Sequence, residues 1–105
     1  YPLTFQVDMS CYGDFSNVSV NGAFNGWCGD CWVMTDADAD GVYAYTADLP
    51  KGGVEFKYTV DGNWEELQPG DECTVTSGEF TNRYIEVDGP TEVATGAPGS
   101  CSGCD

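Results

Sequence analysis

The chain has 105 residues, with 18 acidic side chains against three basic ones, no histidine and a formal charge of -15. This length suits one compact domain, and the negative field repels nucleic-acid phosphates and anionic lipid, so neither nucleic acid nor a membrane is an expected partner. Without histidine, the usual acid–base group at neutral pH and most nucleophilic triads are missing, which argues against an enzyme. No apolar run is long enough to span a membrane and no secretory leader is visible. The abrupt start in a strand-like pattern reads as a mature fragment or a module from a longer protein.

In chain order, Leu3, Phe5, Val7 and Met9 alternate with Thr4, Gln6 and Asp8, the period of a half-buried strand. Val18 and Val20 repeat that pattern and run into a turn-rich stretch, Asn21-Gly22-Ala23-Phe24-Asn25-Gly26, which delivers Trp27. A weaker strand is expected at Trp32 to Met34. Val42 to Leu49, the turn Pro50-Lys51-Gly52-Gly53 and Val54 to Val60 read as a β-hairpin. The turn Asp61-Gly62 then delivers Trp64, with weaker strands near Trp64 to Leu67, Cys73 to Thr76 and Arg83 to Val87. No segment sustains a helical period. The fold expected is all-β, an immunoglobulin-like antiparallel β-sandwich of seven or eight short strands over residues 1–88. Residues 89–105 shift to Gly, Pro, Ser and Thr, the composition of a linker, and carry Cys101 and Cys104.

Six cysteines in so short a chain point to disulfides and an oxidising, extracellular compartment for a secreted protein. A zinc site is the competing reading, because Cys28-x-x-Cys31 and Cys101-x-x-Cys104 resemble paired ligand knuckles. Their acidic and Gly/Ser-rich surroundings favour disulfides. Six cysteines allow about 15 pairings and sequence does not choose among them; the preferred one is closure within each CxxC, with Cys11 joined to Cys73.

Asp36-Ala37-Asp38-Ala39-Asp40-Gly41 has the spacing of the first half of a calcium loop, with alternate carboxylates on a tight turn. Ala47 occupies the position of the usual bidentate carboxylate, so this is not an EF-hand. Asp36, Asp38 and Asp40 are candidate ligands for a structural Ca²⁺, with Asp30 or Asp48 as outside donors; the alternative is a solvated acidic turn. Glu65 and Glu66 are adjacent, and on a strand they point to opposite faces, so they do not flank one glycosidic bond. They read as rim acceptors or solubility charge. Lys57 and Arg83 form a candidate local basic patch.

Trp27 and Trp64, each delivered by a turn, fit either the core or a platform on which pyranose C–H faces stack. Trp32 is a third candidate for the platform, or for core or edge packing. The order Val18-Ser19-Val20-Asn21-Gly22-Ala23-Phe24-Asn25-Gly26-Trp27, then the Leu49-Pro50-x-Gly turn leading to Phe56-Lys57-Tyr58, then Asp61-Gly62-Asn63-Trp64, then the run from Thr81 to Val87 resembles a known family. These are the starch- and glycogen-binding modules of the early-set immunoglobulin-like type. They include the glycogen-binding domain of the AMP-activated kinase β-subunit and modules of marine bacterial polysaccharidases. The likeness covers Asn17 to Val87 and rests on three turns in register. It implies sugar stacking on Trp27 and Trp64 and hydrogen bonds to sugar hydroxyls from Lys57 and Asn82.

The chain departs from the pattern in three places. Cys28 to Cys31 is inserted after the first tryptophan, Glu65-Glu66-Leu67 replaces an Asp-Pro pair, and the cysteine-bearing tail has no counterpart in the kinase domain. The acidic, disulfide-rich version is similar to the marine polysaccharidase modules, which brings a laminarin-like β-glucan alongside starch and glycogen. The expected function is a non-catalytic carbohydrate-binding module that targets a covalently attached catalytic domain to neutral glucan. The alternatives are a disulfide-stiffened spacer or adhesion domain, and a binder of algal galactan or other marine polysaccharide. A spacer would bury both tryptophans.

Overall fold

A computed structural model describes residues 1–10, 12–36, 39–78 and 80–101. Among these, eight strands form two sheets: β1 (Pro2–Asp8), β2 (Val18–Gly22), β3 (Val42–Asp48), β4 (Gly52–Val60), β5 (Asn63–Trp64), β6 (Thr74–Ser77), β7 (Phe80–Val87) and β8 (Thr91–Ala94). One sheet runs β3-β1-β8 and the other β2-β4-β7-β6, with β5 paired to β4. The pairings are antiparallel except β1–β8, which is parallel. No helix among the described residues is long and apolar enough to cross a membrane.

Period-two alternation builds the core. Leu3, Phe5 and Val7 point inward from β1 with no exposure, and Val18, Val20, Phe56, Tyr58 and Val87 meet them from the facing sheet. The Phe5 ring touches both Phe56 (centroids 4.9 Å apart) and Phe24 (5.6 Å), joining the layers.

The expected hairpin from Val42 to Val60 is not formed. β3 pairs with β1 and β4 with β2 and β7, so the Pro50–Lys51 connection crosses from one sheet to the other. Alternation assigns a face to each strand but not a partner, and both strands here pack apolar residues against the shared core, those of β3 only partly buried. Buried Leu49 pins the crossing, and its backbone exchanges hydrogen bonds with Tyr1 at 2.8 and 2.9 Å.

Trp32 to Met34 makes no full strand. Its backbone bonds the free edge of β2 (Val20 N to Trp32 O, 3.1 Å; Met34 N to Val18 O, 2.8 Å), and Thr35 then bridges Ala44 of β3. This segment closes one side of the sandwich and covers two strand edges.

Within the stretch 89–105, Thr91–Ala94 forms β8 in parallel register with Leu3 to Gln6 of β1. Cys28 closes on Cys31 as expected, whereas Cys73 bonds Cys101 rather than Cys11, so Cys101 does not pair with Cys104. Cys73 precedes β6 beside Arg83, and the chain after β8 folds back toward Arg83, which brings cysteines 28 residues apart together. Cys11 and Cys104 lie outside the described residues. No cysteine is free among the described residues, so Cys28 and Cys31 are disulfide-bonded rather than zinc ligands.

Candidate functional site

The first tryptophan is carried by a turn that its own side chains staple. After β2 the chain makes a 3-10 turn, Ala23–Asn25, in which the Gly22 amide donates to Asn25 Oδ1 (3.2 Å) and Asn25 Nδ2 donates to Val20 O (3.1 Å). The Trp27 amide closes the loop on Gly22 O at 2.9 Å. Gly22 is needed for space: a Cβ there would lie 2.7 Å from Glu55 O and against the Phe24 ring. Trp27 itself is left-handed, at φ 56. That conformation costs a bulky L-residue about 1 kcal/mol, so the fold holds the indole outward against a local preference. The inserted Cys28–Cys31 loop that follows it is anchored to the sheet. Asn21 is fully buried and accepts from the Gly29 amide (2.6 Å), while the Thr59 hydroxyl donates to Gly29 O.

The second tryptophan follows the β4–β5 turn, in which Asp61 (φ 52) and Gly62 (φ 84) are both left-handed, a two-residue hairpin of the type Asp-Gly favours. Trp64 then lies opposite Thr59. Asp61 also accepts from the Ser16 and Asn17 amides (2.8 Å each), tying the loop before β2 to this turn.

Trp27, Glu55, Lys57, Trp64, Phe80 and Asn82 line one cleft of about 500 Å³ on the outer face of the five-stranded sheet. The indole centroids are 6.4 Å apart with planes inclined at 52°, and the residues are 36% and 45% exposed. A spacer that hides both tryptophans does not describe this chain. Glu55 and Lys57 share the outward face of β4, and Asn82 Nδ2 donates to Glu55 Oε1 at 3.3 Å. The arrangement offers flat apolar surface flanked by an ammonium, an amide and a carboxylate.

Four of the five residues expected at a sugar site, Trp27, Trp64, Lys57 and Asn82, therefore share one cleft. Trp32 is not among its lining residues. It stacks between Phe24 (4.7 Å, 16°) and Tyr45 (4.9 Å, 11°) against the core. Phe80, 65% exposed, and Glu55 were missed. The available signal was the alternation of β7: Phe80 lies two residues before Asn82 and so on the same face, but the strand was expected to begin only at Arg83.

Arg83 and Glu65 also differ from expectation. Neither is on the surface: their side chains are 1% and 0% exposed and form an ion pair at 2.7 Å. Arg83 therefore contributes nothing to a basic patch with Lys57, and Glu65 is no rim acceptor. β7 and the residue after Trp64 turn these side chains inward, and each charge is held only because it is fully partnered. The Arg83 guanidinium also lies 5.1 Å from the Tyr58 ring centre, and burial pushes the Tyr58 phenol well above its usual range.

In the acidic loop, Asp36 uses both carboxylate oxygens on its own backbone, accepting from Asp40 N (3.1 Å) and Gly41 N (2.9 Å); Asp40 accepts from Val42 N (3.0 Å). The Gly41 amide, foremost, holds the Asp36 carboxyl below its ordinary value. Asp38 lies outside the described residues. Asp48 ends β3 while the loop precedes it, so about 20 Å of strand separates them and Asp48 does not serve that loop.

The described residues thus form a sandwich with an outward aromatic cleft over a buried, fully partnered ion pair. Residues 5–93 match the family described as the glycogen recognition site of AMP-activated protein kinase, and the chain belongs to that family of non-catalytic carbohydrate-binding modules. A 50-residue stretch is 42% identical to an amylopullulanase of Thermoanaerobacterium thermosulfurigenes, covering 46% of this chain and 3% of that protein. A 34-residue stretch is 44% identical to an amylopullulanase of Thermoanaerobacterium saccharolyticum, covering 32% of this chain and again 3% of the relative. The chain thus spans a small part of the proteins it matches.

Proposed function

We propose that this domain holds a neutral glucan of the starch or glycogen type on the outer face of its five-stranded sheet. Trp27 and Trp64 stack sugar rings, Phe80 adds an apolar wall, and Lys57 and Asn82 donate to hydroxyls. The observation that carries the reading is the shared cleft: side chains from the turn after β2, from β4, from β5 and from β7 converge there. The 52° inclination of the indoles favours a bent chain, such as an α-1,4- or β-1,3-glucan, over a flat ribbon. Kinship with a glycogen recognition site supports the α-glucan, with laminarin as the β-1,3 comparison. Glu55 beside Lys57 and the overall charge of -15 disfavour sulfated or carboxylated polymers.

In its parent protein such a module keeps an attached secreted amylolytic enzyme near its polymer by raising effective concentration. The matches to amylopullulanases support attachment to such an enzyme, and the disulfides support an oxidising, extracellular location. A calcium ion on the Asp36–Asp40 loop is a structural proposal separate from sugar binding.

Affinity electrophoresis in gels containing glycogen, starch, laminarin, agarose, carrageenan or alginate tests this reading, run with calcium and with a chelator. Retardation by glycogen and starch, lost in Trp64→Ala while the far-ultraviolet spectrum is unchanged, is the expected outcome. Free migration of the wild type in every gel overturns it.

A further inference from the structure

Trp64 is weakly held by its own strand. β5 has only two residues, pairing Asn63 with Val60 and Trp64 with Thr59. The next residue, Glu65, is held firmly. Its amide donates to Tyr58 O (3.0 Å), and its Oε2 accepts from Tyr58 N (2.8 Å) and Arg83 Nε (2.9 Å). Glu65 Oε1 accepts from Arg83 Nη2 (2.7 Å) and Gly99 N (2.8 Å). Arg83 lies on β7 next to Asn82 of the cleft, so one ion pair ties the two-residue β5 that carries Trp64 to the eight-residue β7 that carries Asn82.

Most of the remaining partners of Arg83 come from the segment after β8. Arg83 donates from Nη1 to Thr95 O (2.6 Å) and from Nη2 to Ala97 O and Ser100 O (3.0 Å each). The Thr95 hydroxyl bonds the Tyr58 hydroxyl and Gln6 O (2.6 Å each), and Cys101 closes the segment onto Cys73. Residues 95–101 therefore wrap the inner ends of the site as a strap whose far end is covalently fastened.

We infer that residues 95–101 are a disulfide-latched positioning strap for the polysaccharide cleft, with Glu65 and Arg83 as positioning residues that hold Trp64 and Asn82 through it. Glu65 and Arg83 lie behind the sheet and touch no ligand. Their role is to fix where the indole stands relative to Trp27. If the strap is released, Glu65 loses the Gly99 amide and Arg83 loses three carbonyls, and the pair must find water or move. Because β5 is so short, the movement reaches Trp64 before it reaches the core strands. This inference rests on the proposed sugar-binding role of the cleft for its affinity consequence but not for its geometry.

The test is the double substitution Cys73→Ala with Cys101→Ala in the whole domain, read in two ways. The first is glycogen affinity, expected to fall about tenfold at a temperature where the variant is folded. The second is the coupled circular dichroism of the two indoles, which reports their 6.4 Å, 52° geometry without ligand and is expected to change. Leu3→Ala, in the other sheet, supplies a destabilised control expected to leave both signals as in wild type. Unchanged indole coupling and affinity in the latch variant overturns the proposal, as does an equal loss in Leu3→Ala, which would mean general destabilisation. If the double variant does not fold cooperatively, Gly99→Ala decides by the same two readouts. A Cβ there approaches Glu66 O to 3.1 Å at φ +78 and pushes the strap off Glu65 with the disulfide intact. Should the wild type fail to bind any glucan, the cleft reading falls, and the indole signal alone still supports or overturns the strap.

Discussion

Asn82 and Arg83 are neighbours on β7, and Trp64 and Glu65 are neighbours in and just after β5, yet each pair is divided between opposite sides of one sheet. The outer side is an open aromatic cleft with loosely partnered polar groups. The inner side is a charge pair with every oxygen and nitrogen engaged. The difference is one of free-energy role. Outer residues are kept exposed for a ligand that supplies their contacts, whereas inner ones must be satisfied before any ligand arrives, because an unpaired buried charge is costly. Period-two geometry lets the same strands carry both.

The contrast is broken most forcefully at the ion pair. Arg83→Met leaves Glu65 charged in the interior and is expected to lower unfolding free energy by about 3–5 kcal/mol in urea titrations. Changing both partners to methionine should recover part of that loss, since no unpaired charge remains. A single substitution costing under about 1 kcal/mol would show that the inner side is no lock.

A smaller effect contrasts two tryptophans five residues apart, Trp27 and Trp32. Trp32→Ala removes the middle ring of the Phe24–Trp32–Tyr45 stack and should cost about 2–3 kcal/mol of stability. Retention in glycogen gels should stay near wild type where the variant is folded, the opposite of Trp27→Ala. Lost retention with normal stability would return Trp32 to the binding face.

The smallest effect contrasts a buried carboxylate with an exposed one. Asp36 is on the surface, and backbone amides, Gly41 first, lower its folded value below 3.8. Its stabilisation is fully present above the unfolded value near 3.8 and is lost as pH falls through the lower folded value. Asp36→Asn should therefore lower the melting temperature slightly at neutral pH, and the difference from wild type should close as pH falls through the folded value. A variant profile parallel to wild type from neutral pH down through that window would remove the assignment.

Much of the outer side was legible beforehand. Asn25, Gly26, Asp61 and Gly62 are turn residues whose local chemistry sets the two turns that carry Trp27 and Trp64, and alternation puts Lys57 on the outward face of β4. Phe80 escaped because the strand was started three residues late, although its alternation with Asn82 was available. The inner side was hidden for a different reason. The strap's composition resembles a linker because its contribution is made by backbone: the carbonyls of Thr95, Ala97 and Ser100 and the amide of Gly99. Every residue type has those groups, so composition cannot reveal them.

The sequence by itself determined an all-β chain, the strand faces and the tight turns, because each of these depends on residues adjacent in the chain, while Trp27, Trp64, Lys57 and Asn82 were picked out as a set by the family resemblance. Only the tertiary structure decided that β3 and β4 lie in different sheets, that Cys73 meets Cys101, that Trp32 packs inward, and that Glu65 and Arg83 pair beneath the site. Those outcomes turn on which segments become neighbours in space, and alternation specifies a face without naming the partner that covers it.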